Sequence, residues 1–491
     1  MGVRTLVEAL LDPADRRASR TALITPSRRV RYDELARIVA SGAQRLRDHG
    51  VKRGDRVLLR VPNSVEFVGA YYSIHSAGAV AVPTDTDTSP ARLRAIVDDC
   101  QPALFVSDLS ALELPFLSAA SFAEGDRVSG APLPDLSDDA DILYTTGTTG
   151  RPKGVVLTHR NIASAALNIA SFLEQRPDDV EVVPVPFSHS FGLGRIRCMA
   201  LIGNAVIPVA GMRNLAALLD TLVTEQATGL AMVPAGMALL RRIRRDLGSA
   251  VSTLRYLELC GAPIDSDLRA WVLDVLPSVR VFHTYGLTEA SRAAFVDLRQ
   301  NHVRHGSIGR PSPNVEIELR ADDGRVVTEG TEGEIWVRGE MVMREYWRRD
   351  DLTKAAVVDG WLKTGDIASA DSHGNIVLSG RLSDTINVGG MKVAPVEVEE
   401  LLARYPGIIE VACAGTPDPN GISGERVKAF VVAETDLVTA DVLSWLQRQG
   451  LEPYKMPIAV ERIASLPRTS SGKIMRYVLA KTSKASAPPD A

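Results

Sequence analysis

At 491 residues the chain exceeds what one ordinary hydrophobic core organises, and a typical domain size divides it into about three units. Its hydrophobic fraction of 45% and charged fraction of 24% belong to folded globular protein and exclude a disordered or fibrous chain. A net charge of −4 provides no electrostatic footprint for nucleic acid or an anionic membrane, so neither is expected as a partner.

The opening stretch MGVRTLVEALLDPADRRASR scatters its charges and has no apolar run of the signal-peptide kind, and Leu6 stands where a myristoylation signal calls for Ser or Thr. No later run is apolar for long enough to cross a bilayer. A cytoplasmic protein without membrane insertion is expected. Cys100, Cys198, Cys260 and Cys413 are far apart and show no C-x-x-C or Cys/His ligand spacing, which predicts reduced thiols and no zinc site.

The pattern YDELARIVASGAQRLRDHG (32–50) predicts an amphipathic helix, followed by strands at RVLLRV (56–61), AVAVP (79–83) and ALFVS (103–107). Next comes YTTGTTGRPKGV (144–155), whose small residues admit close backbone approach while its hydroxyls and Lys153 suit polyphosphate. It is not a Walker loop, because Gly147 and Gly150 are too close and Pro152 separates Gly150 from Lys153. A strand at EVVPVP (181–186) leads into PFSHSFGL (186–193), which puts His189 and Phe191 where open α/β sheets bind ligands. GLGRIRCMA (192–200) then places Arg195 and Arg197 in a segment where an apolar helix is expected. A helix over 213–227 and a strand at GLAMVP (229–234) continue the alternation, which predicts an α/β class with parallel layers.

Two strand-end turns follow, LCGAPID (259–265) and FHTYGLTEA (282–290), and the second ends in Thr288 and Glu289, a carboxylate suited to Mg²⁺ bridging phosphates. From 303 to 380 short strands with turns at DDG, TEGTEGE and SHGN predict an antiparallel, β-barrel-like subdomain. Within it, WLKTGDIA (361–368) sets Asp366 in a tight turn, where it accepts ribose hydroxyls or caps its own backbone. After GRLSD (380–384) a fresh unit of about a hundred residues begins, an ordinary domain size. Its helix VAPVEVEELLARYP, strands EVACAGTP and VKAFVVAE, and helix TADVLSWLQRQG predict a small α+β domain. PRTSSGKIMR (467–476) carries Lys473 among small residues.

In this order YTTGTTGRPKGV, PFSHSFG, GAP, TYGLTE, WLKTGD, GRLSDTINVGGMKV and PRTSSGK resemble, over residues from about 20 to 480, the adenylate-forming superfamily. That group includes acyl- and aryl-CoA synthetases, the adenylation domains of nonribosomal peptide synthetases, and beetle luciferases. The resemblance implies a large N-terminal adenylation core (1–380) of layered α/β subdomains plus a small β-barrel-like subdomain. A mobile C-terminal lid (381–491) follows, hinged near 381–384, where Ser383 replaces the commoner Asp or Lys.

The resemblance also implies roles. Thr145, Thr146, Gly147, Thr148, Thr149, Gly150 and Lys153 would hold the β- and γ-phosphates of ATP. Gly261, Ala262, Pro263, Tyr285 and Gly286 would border the adenine, and Thr288 would touch the α-phosphate. Glu289 would hold Mg²⁺, and Asp366 and Arg381 would bind the ribose. Lys473 would bridge the substrate carboxylate and the α-phosphate, the charge stabilisation that such a transfer needs when two anions meet. VGGMKV (388–393) is similar to the loop lining a pantetheine tunnel, with Gly389 and Gly390 permitting close approach.

The implied activity is ATP-dependent adenylation of a small carboxylic acid and transfer of the acyl group to a pantetheine thiol, CoA or the phosphopantetheine of an acyl or peptidyl carrier protein. Alternatives are a carrier-loading ligase of specialised metabolism, or an enzyme that activates another oxyanion or passes the adenylate to an amine. A monomer or homodimer is expected. By family position His189, Ser190, Phe191, Met237, Cys260 and Thr284 line the acid pocket, with His189 also a catalytic candidate. Ser188 and His189 replace the aspartate that pairs with an α-amino group, which disfavours amino acids. One of Arg195 and Arg197, Arg195 by preference, either faces the pocket and pairs with a second substrate anion or is a surface or interface arginine.

Overall fold

The computed structural model describes residues 4–480 apart from 13–16, 109–111, 113, 127–132, 147–151, 210, 213, 244–246, 301–302, 305, 389–390, 420–424, 436, 469–473 and 477. The chain forms two compact units, residues 1–317 with 336–363, and residues 318–335 with 364–491. This division falls earlier than the 380/381 boundary expected from the motifs. Segments 318–335 and 364–380 are tied to each other: the Gly330 amide donates to the Ala370 carbonyl, and Thr364 Oγ1 donates to the Ile335 carbonyl at 2.8 Å.

In chain order the first unit contains α1 (Tyr32–Asp48), β1 (Arg56–Arg60), α2 (Val65–Ser76), β2 (Val80–Pro83), α3 (Pro90–Cys100) and β3 (Leu104–Ser107). The hairpin β4 (Asp139–Thr146) and β5 (Pro152–Thr158) follows, then α4 (His159–Leu173), β6 (Val180–Val183), α5 (Ser190–Ile202) and β7 (Ala205–Pro208). After them come α6 (Leu215–Thr224), β8 (Gly229–Met232), α7 (Pro234–Ile243), β9 (Tyr256–Cys260), α8 (Ser266–Val275), β10 (Arg280–Tyr285), β11 (Ala294–Asp297) and the short β12 (Glu345–Tyr346). Local sequence sets these starts. Ser64 and Ser89 accept backbone N–H bonds at the beginnings of α2 and α3, Pro90 occupies the first turn of α3, and Thr158 with Asn161 forms a capping box on α4.

One sheet runs β12-β5-β4-β2-β1-β3, with Phe116–Ser118 at its far edge. Its β1, β2, β3 and β4 are parallel, and β5 turns back antiparallel to β4. In the other, β6, β7, β8, β9 and β10 are parallel, and β11 is antiparallel to β10. Val182, Leu230, Leu257 and Val281 fill the core against α6 and α8.

Helix α5 lies between these sheets, buried from Gly192 to Ala200. At 3.6 residues per turn, positions two apart point to nearly opposite sides. Arg195 accordingly reaches β6 and β9, with NH2 2.9 Å from Glu181 Oε1 and NH1 2.7 Å from Glu258 Oε2. Arg197 reaches the other way, pairing with Asp141 of β4 and donating from Nε to Tyr71 Oη of α2 at 3.0 Å. Tyr71 Oη donates to Asp141 Oδ2 at 3.0 Å, and His75 Nε2 lies 3.1 Å from Oδ1. Burial opposes ionisation of Asp141, yet Arg197, His75 and Tyr71 hold its carboxyl below the usual range.

In the second unit β13 (Trp361–Ala370), which begins in the first, pairs antiparallel with β14 (Ile376–Arg381), placing Asp366 opposite Arg381. Helix α9 (Pro395–Leu402), strands β15 (Ile408–Pro417) and β16 (Glu425–Ala433), helix α10 (Thr439–Arg448) and β17 (Val460–Arg462) complete it. Val398, Leu402, Val427, Ala429, Val442 and Leu446 form its core. The segment after 303 has the antiparallel strands expected of it, but the described strands run in open order and close no barrel. No described helix is long and apolar enough to cross a membrane. All four cysteines are buried and free.

Replacing Arg197 with Met leaves Asp141 buried without its cation and should destabilise the first unit by about 3–5 kcal/mol. Arg31→Met, on an exposed pair with Asp33, should leave the unfolding midpoint unmoved. Denaturant unfolding of both variants checks the contrast.

Candidate nucleotide and acid site

The parallel register Met232–Leu259–His283 brings the carboxyl ends of β8, β9 and β10 to one edge of their sheet. Open α/β sheets bind ligands along such an edge. The turn after β9 contains Gly261 at φ +99°, a conformation that suits glycine, followed by Ala262 and Pro263. His283 Nε2 lies 2.9 Å from the Ala262 carbonyl and fixes this turn. Burial holds the His283 imidazole below its ordinary pKa.

Tyr285 ends β10, and Gly286 to Glu289 form the next turn, closed by backbone bonds between Leu287 and Ala290. Gly286 is required: a Cβ there would come within 2.4 Å of the Arg292 nitrogen. The Met343 amide donates to the Glu289 carbonyl at 2.8 Å, and Tyr346 Oη donates to Glu289 Oε1 at 2.7 Å.

Tyr346 belongs to β12, which runs antiparallel to β5 with Tyr346 opposite Val155. Within the hairpin, Thr145 is opposite Lys153 and Thr146 opposite Pro152. Lys153 Nζ sits 4.7 Å from the centre of the Tyr346 ring. The two sheets therefore bring Lys153, Tyr346 and Glu289 together. Gly147, Thr148, Thr149 and Gly150 lie outside the described residues, as does the Thr146 side chain.

His189 occupies the residue just before α5, and its Nε2 is 3.2 Å from Asp85 Oδ2. The His189 hydrogen bond holds the Asp85 carboxyl below its ordinary range despite partial burial. Ser190 Oγ donates to Ser291 Oγ at 3.2 Å. Arg292, at φ +51°, anchors this helix start. Its NH1 donates to the Ser190 carbonyl at 2.9 Å, its NH2 to the Phe191 carbonyl at 2.8 Å and its Nε to Glu258 Oε1 at 3.1 Å. The guanidinium also covers the Phe191 ring at 4.7 Å. Gly194 leaves it room, since a Cβ there would lie 2.9 Å from Arg292 NH1.

Glu258 and Glu181 share Arg195 yet shift in opposite directions. Burial raises both, but Glu258 also faces Arg292, and the two guanidiniums hold it below its ordinary range. Glu181 is paired with one guanidinium among the described residues, that of Arg195, and burial pushes it up to about 7.

These contacts correct the expectation for Arg195. Its guanidinium is buried on two carboxylates of the chain, so it is neither a surface arginine nor a partner for a second substrate anion. Thr284, expected to line the acid pocket, is also turned inward, with Oγ1 3.3 Å from Glu258 Oε1 and from the Leu259 carbonyl. Met237 and Cys260 are buried, whereas Ser190 and Phe191 are half-buried. Thr288 and Glu289 are also half-buried.

In the second unit, Arg381 Nε donates to Asp366 Oδ1 across the β13–β14 pair, fixing the carboxylate's orientation. Lys473, Gly389 and Gly390 lie outside the described residues, and so does the Ser383 side chain.

No cluster of three or more His, Cys, Asp or Glu among the described residues could hold a metal ion. Glu289 supplies a single carboxylate, with one oxygen already bonded to Tyr346. That donor set fits Mg²⁺ delivered with a triphosphate, which needs only one or two protein carboxylates, and does not make a resident metal cage.

Sequence reasoning missed Tyr346, Arg292 and Asp85. Tyr346 meets Glu289 from 57 residues away, and Asp85 meets His189 from 104 away. Neither separation has a period that betrays contact. Arg292 directly follows TEAS, but its importance depends on Glu258, 34 residues earlier.

Residues 10–347 match the AMP-binding enzyme family, and residues 397–473 match the AMP-binding enzyme C-terminal domain. The long-chain-fatty-acid–CoA ligase FadD13 of Mycobacterium tuberculosis is 31% identical over 489 residues, 95% of this chain and 96% of that protein. A feruloyl-CoA synthase of an Amycolatopsis species is 34% identical over 459 residues, covering 91% and 92%. The o-succinylbenzoate CoA synthetase of Bacillus subtilis, solved with ATP and magnesium, superposes at a TM-score of 0.88 with 26% identity, covering 96% of this chain and 99% of that one. The same enzyme solved with its acyl-adenylate intermediate also gives 0.88, covering 98% of both chains.

Arg292→Lys keeps a charge beside Glu258 but loses the planar fork that serves two carbonyls. Hydrogen exchange at the Leu193 amide, which donates to His189 at 2.9 Å, should then rise about tenfold, while amides of β9 stay protected. Equal exchange in both proteins would remove Arg292 from this anchoring role.

Proposed function

This chain belongs to the AMP-binding enzyme family, the adenylate-forming ligases, and from that premise we propose that it converts a monocarboxylic acid, ATP and CoA into acyl-CoA, AMP and pyrophosphate. Relatives that make CoA thioesters over nearly their whole length support the reaction class. The observation that carries the site assignment is the convergence of Lys153, Tyr346 and Glu289 at the strand ends of two sheets.

A carboxylate is a poor electrophile because its charge is delocalised and it has no good leaving group. Attack of its oxygen on the α-phosphorus of MgATP expels pyrophosphate and leaves AMP as the leaving group on the acyl carbon. The CoA thiol then attacks that carbon and AMP departs. Lys153, with the loop between β4 and β5, would bind the departing phosphates, and Thr288 the α-phosphate. Glu289 would hold the Mg²⁺ that ATP brings, which neutralises phosphate charge. Tyr285, Gly286 and the 261–263 turn would border the adenine, with Asp366 and Arg381 on the ribose. Lys473 would neutralise charge where the two anions meet. A large core followed by a C-terminal lid hinged near 381–384 would alternate between the two half-reactions.

The internal pairing of Arg195, Arg197 and Arg292 supports a monocarboxylic rather than a dicarboxylic substrate, because each already faces a carboxylate of the protein. His189, Ser190 and Phe191 would border the acid, with His189 held by Asp85. This mixed surface suits aryl and medium-chain acids, and no aspartate stands at 188 or 189 for an α-ammonium group.

Acid-dependent pyrophosphate release, measured across a panel of acids with and without CoA, tests the reading. Aryl or medium-chain monocarboxylic acids should give acyl-CoA. Dicarboxylic and α-amino acids should fall at least about tenfold lower in kcat/KM, a difference of about 1.4 kcal/mol. Lys473→Ala should lower adenylate formation by roughly a hundredfold or more. Pyrophosphate release that never consumes CoA, or a dicarboxylic preference, would contradict it.

A further inference from the structure

We propose that Tyr346 is a positioning residue that keeps Lys153 and Glu289 apart and orients the Glu289 carboxylate toward the magnesium ion of MgATP. The inference rests on the ATP site proposed above. Lys153 and Glu289 carry opposite charges at the same place, and side chains so situated neutralise each other when they meet. Among the described residues they form no ion pair, and the Tyr346 phenol contacts both. Its ring face takes the ammonium at 4.7 Å, and its hydroxyl donates to Glu289 Oε1 at 2.7 Å. One side chain therefore holds the cation on its face and the anion at its edge.

Tyr346 is itself rigidly held. It is buried on β12 opposite Val155, its amide donates to Thr353 Oγ1 at 2.9 Å, and its carbonyl accepts from Arg349 at 3.0 Å. The Glu289 backbone is fixed by the Met343 amide and by the Ala290–Val342 bridge. The tyrosine hydrogen bond then fixes the plane of the carboxylate and occupies Oε1. Partners that orient a ligating carboxylate in this way typically contribute about 10–100-fold to metal affinity.

Tyr346→Phe removes the hydroxyl and keeps the ring, and Tyr346→Leu removes both. Calorimetric binding of α,β-methylene-ATP, with Mg²⁺ or with EDTA, reads metal-dependent and metal-free affinity separately, without turnover. Tyr346→Phe should lose about tenfold of the affinity that Mg²⁺ adds, with metal-free affinity unchanged. Tyr346→Leu should weaken metal-free binding as well, because Lys153 is released toward Glu289. Thermal unfolding of the unliganded variants reports whether each is folded, and Tyr346→Phe alone decides the case if Tyr346→Leu is not. An unchanged Mg²⁺ increment in Tyr346→Phe, or an equal loss in EDTA, overturns the positioning role. Wild-type protein that binds the analogue no better with Mg²⁺ overturns the ATP site and this role with it.

Discussion

A helix buried through its middle, from Gly192 to Ala200, that carries two arginines there must supply each of them with a carboxylate, and α5 does so on opposite sides. Arg195 is met by Glu181 and Glu258 of one sheet, and Arg197 by Asp141 of the other. Taking such charges out of water costs several kcal/mol per ion, so the pairs do not make the fold more stable than an apolar helix would. They make its placement specific. A rotation or slide of α5 would leave buried ions uncompensated, so the register between the two sheets is set by charge as well as by packing.

The candidate site depends on that placement. The first residues of α5 are His189 at the cap and Ser190 and Phe191 in the first turn, and Arg292 ties their carbonyls to Glu258, which also holds Arg195. The wall proposed for the acid is thus continuous with the ion network of the core. On the side proposed for the nucleotide, Tyr346 joins the β4–β5 hairpin to the turn after β10. Both joints use one planar side chain that serves several partners. A planar group fixes direction as well as distance, which positioning for chemistry requires.

The motifs were legible because adenylation needs recognisable local chemistry: small residues and hydroxyls at 145–150, acids in tight turns, glycines where backbone must approach. The alternation of strand and helix was equally plain, down to β1, β2 and β8. What failed to show were contacts between distant segments. Nothing near Arg195 marks Glu258, 63 residues later, as its partner, and a strand-centre glutamate reads as an anomaly until the arginines are placed. The run EVVPVP also read as one strand, but β6 stops at Val183 because Pro184 and Pro186 have no N–H to donate to a ladder. The barrel-like subdomain expected after 303 has its antiparallel strands but no closure among those described, since antiparallel strands and turns do not reveal whether their sheet closes.

The central claim is that the acid attacks ATP at its α-phosphorus. Single-turnover reaction with an acid labelled with ¹⁸O in both carboxylate oxygens, followed by mass spectrometry of the products, tests it directly. The mechanism predicts AMP carrying one ¹⁸O and pyrophosphate carrying none. Label in pyrophosphate or inorganic phosphate, or AMP without label, would contradict it.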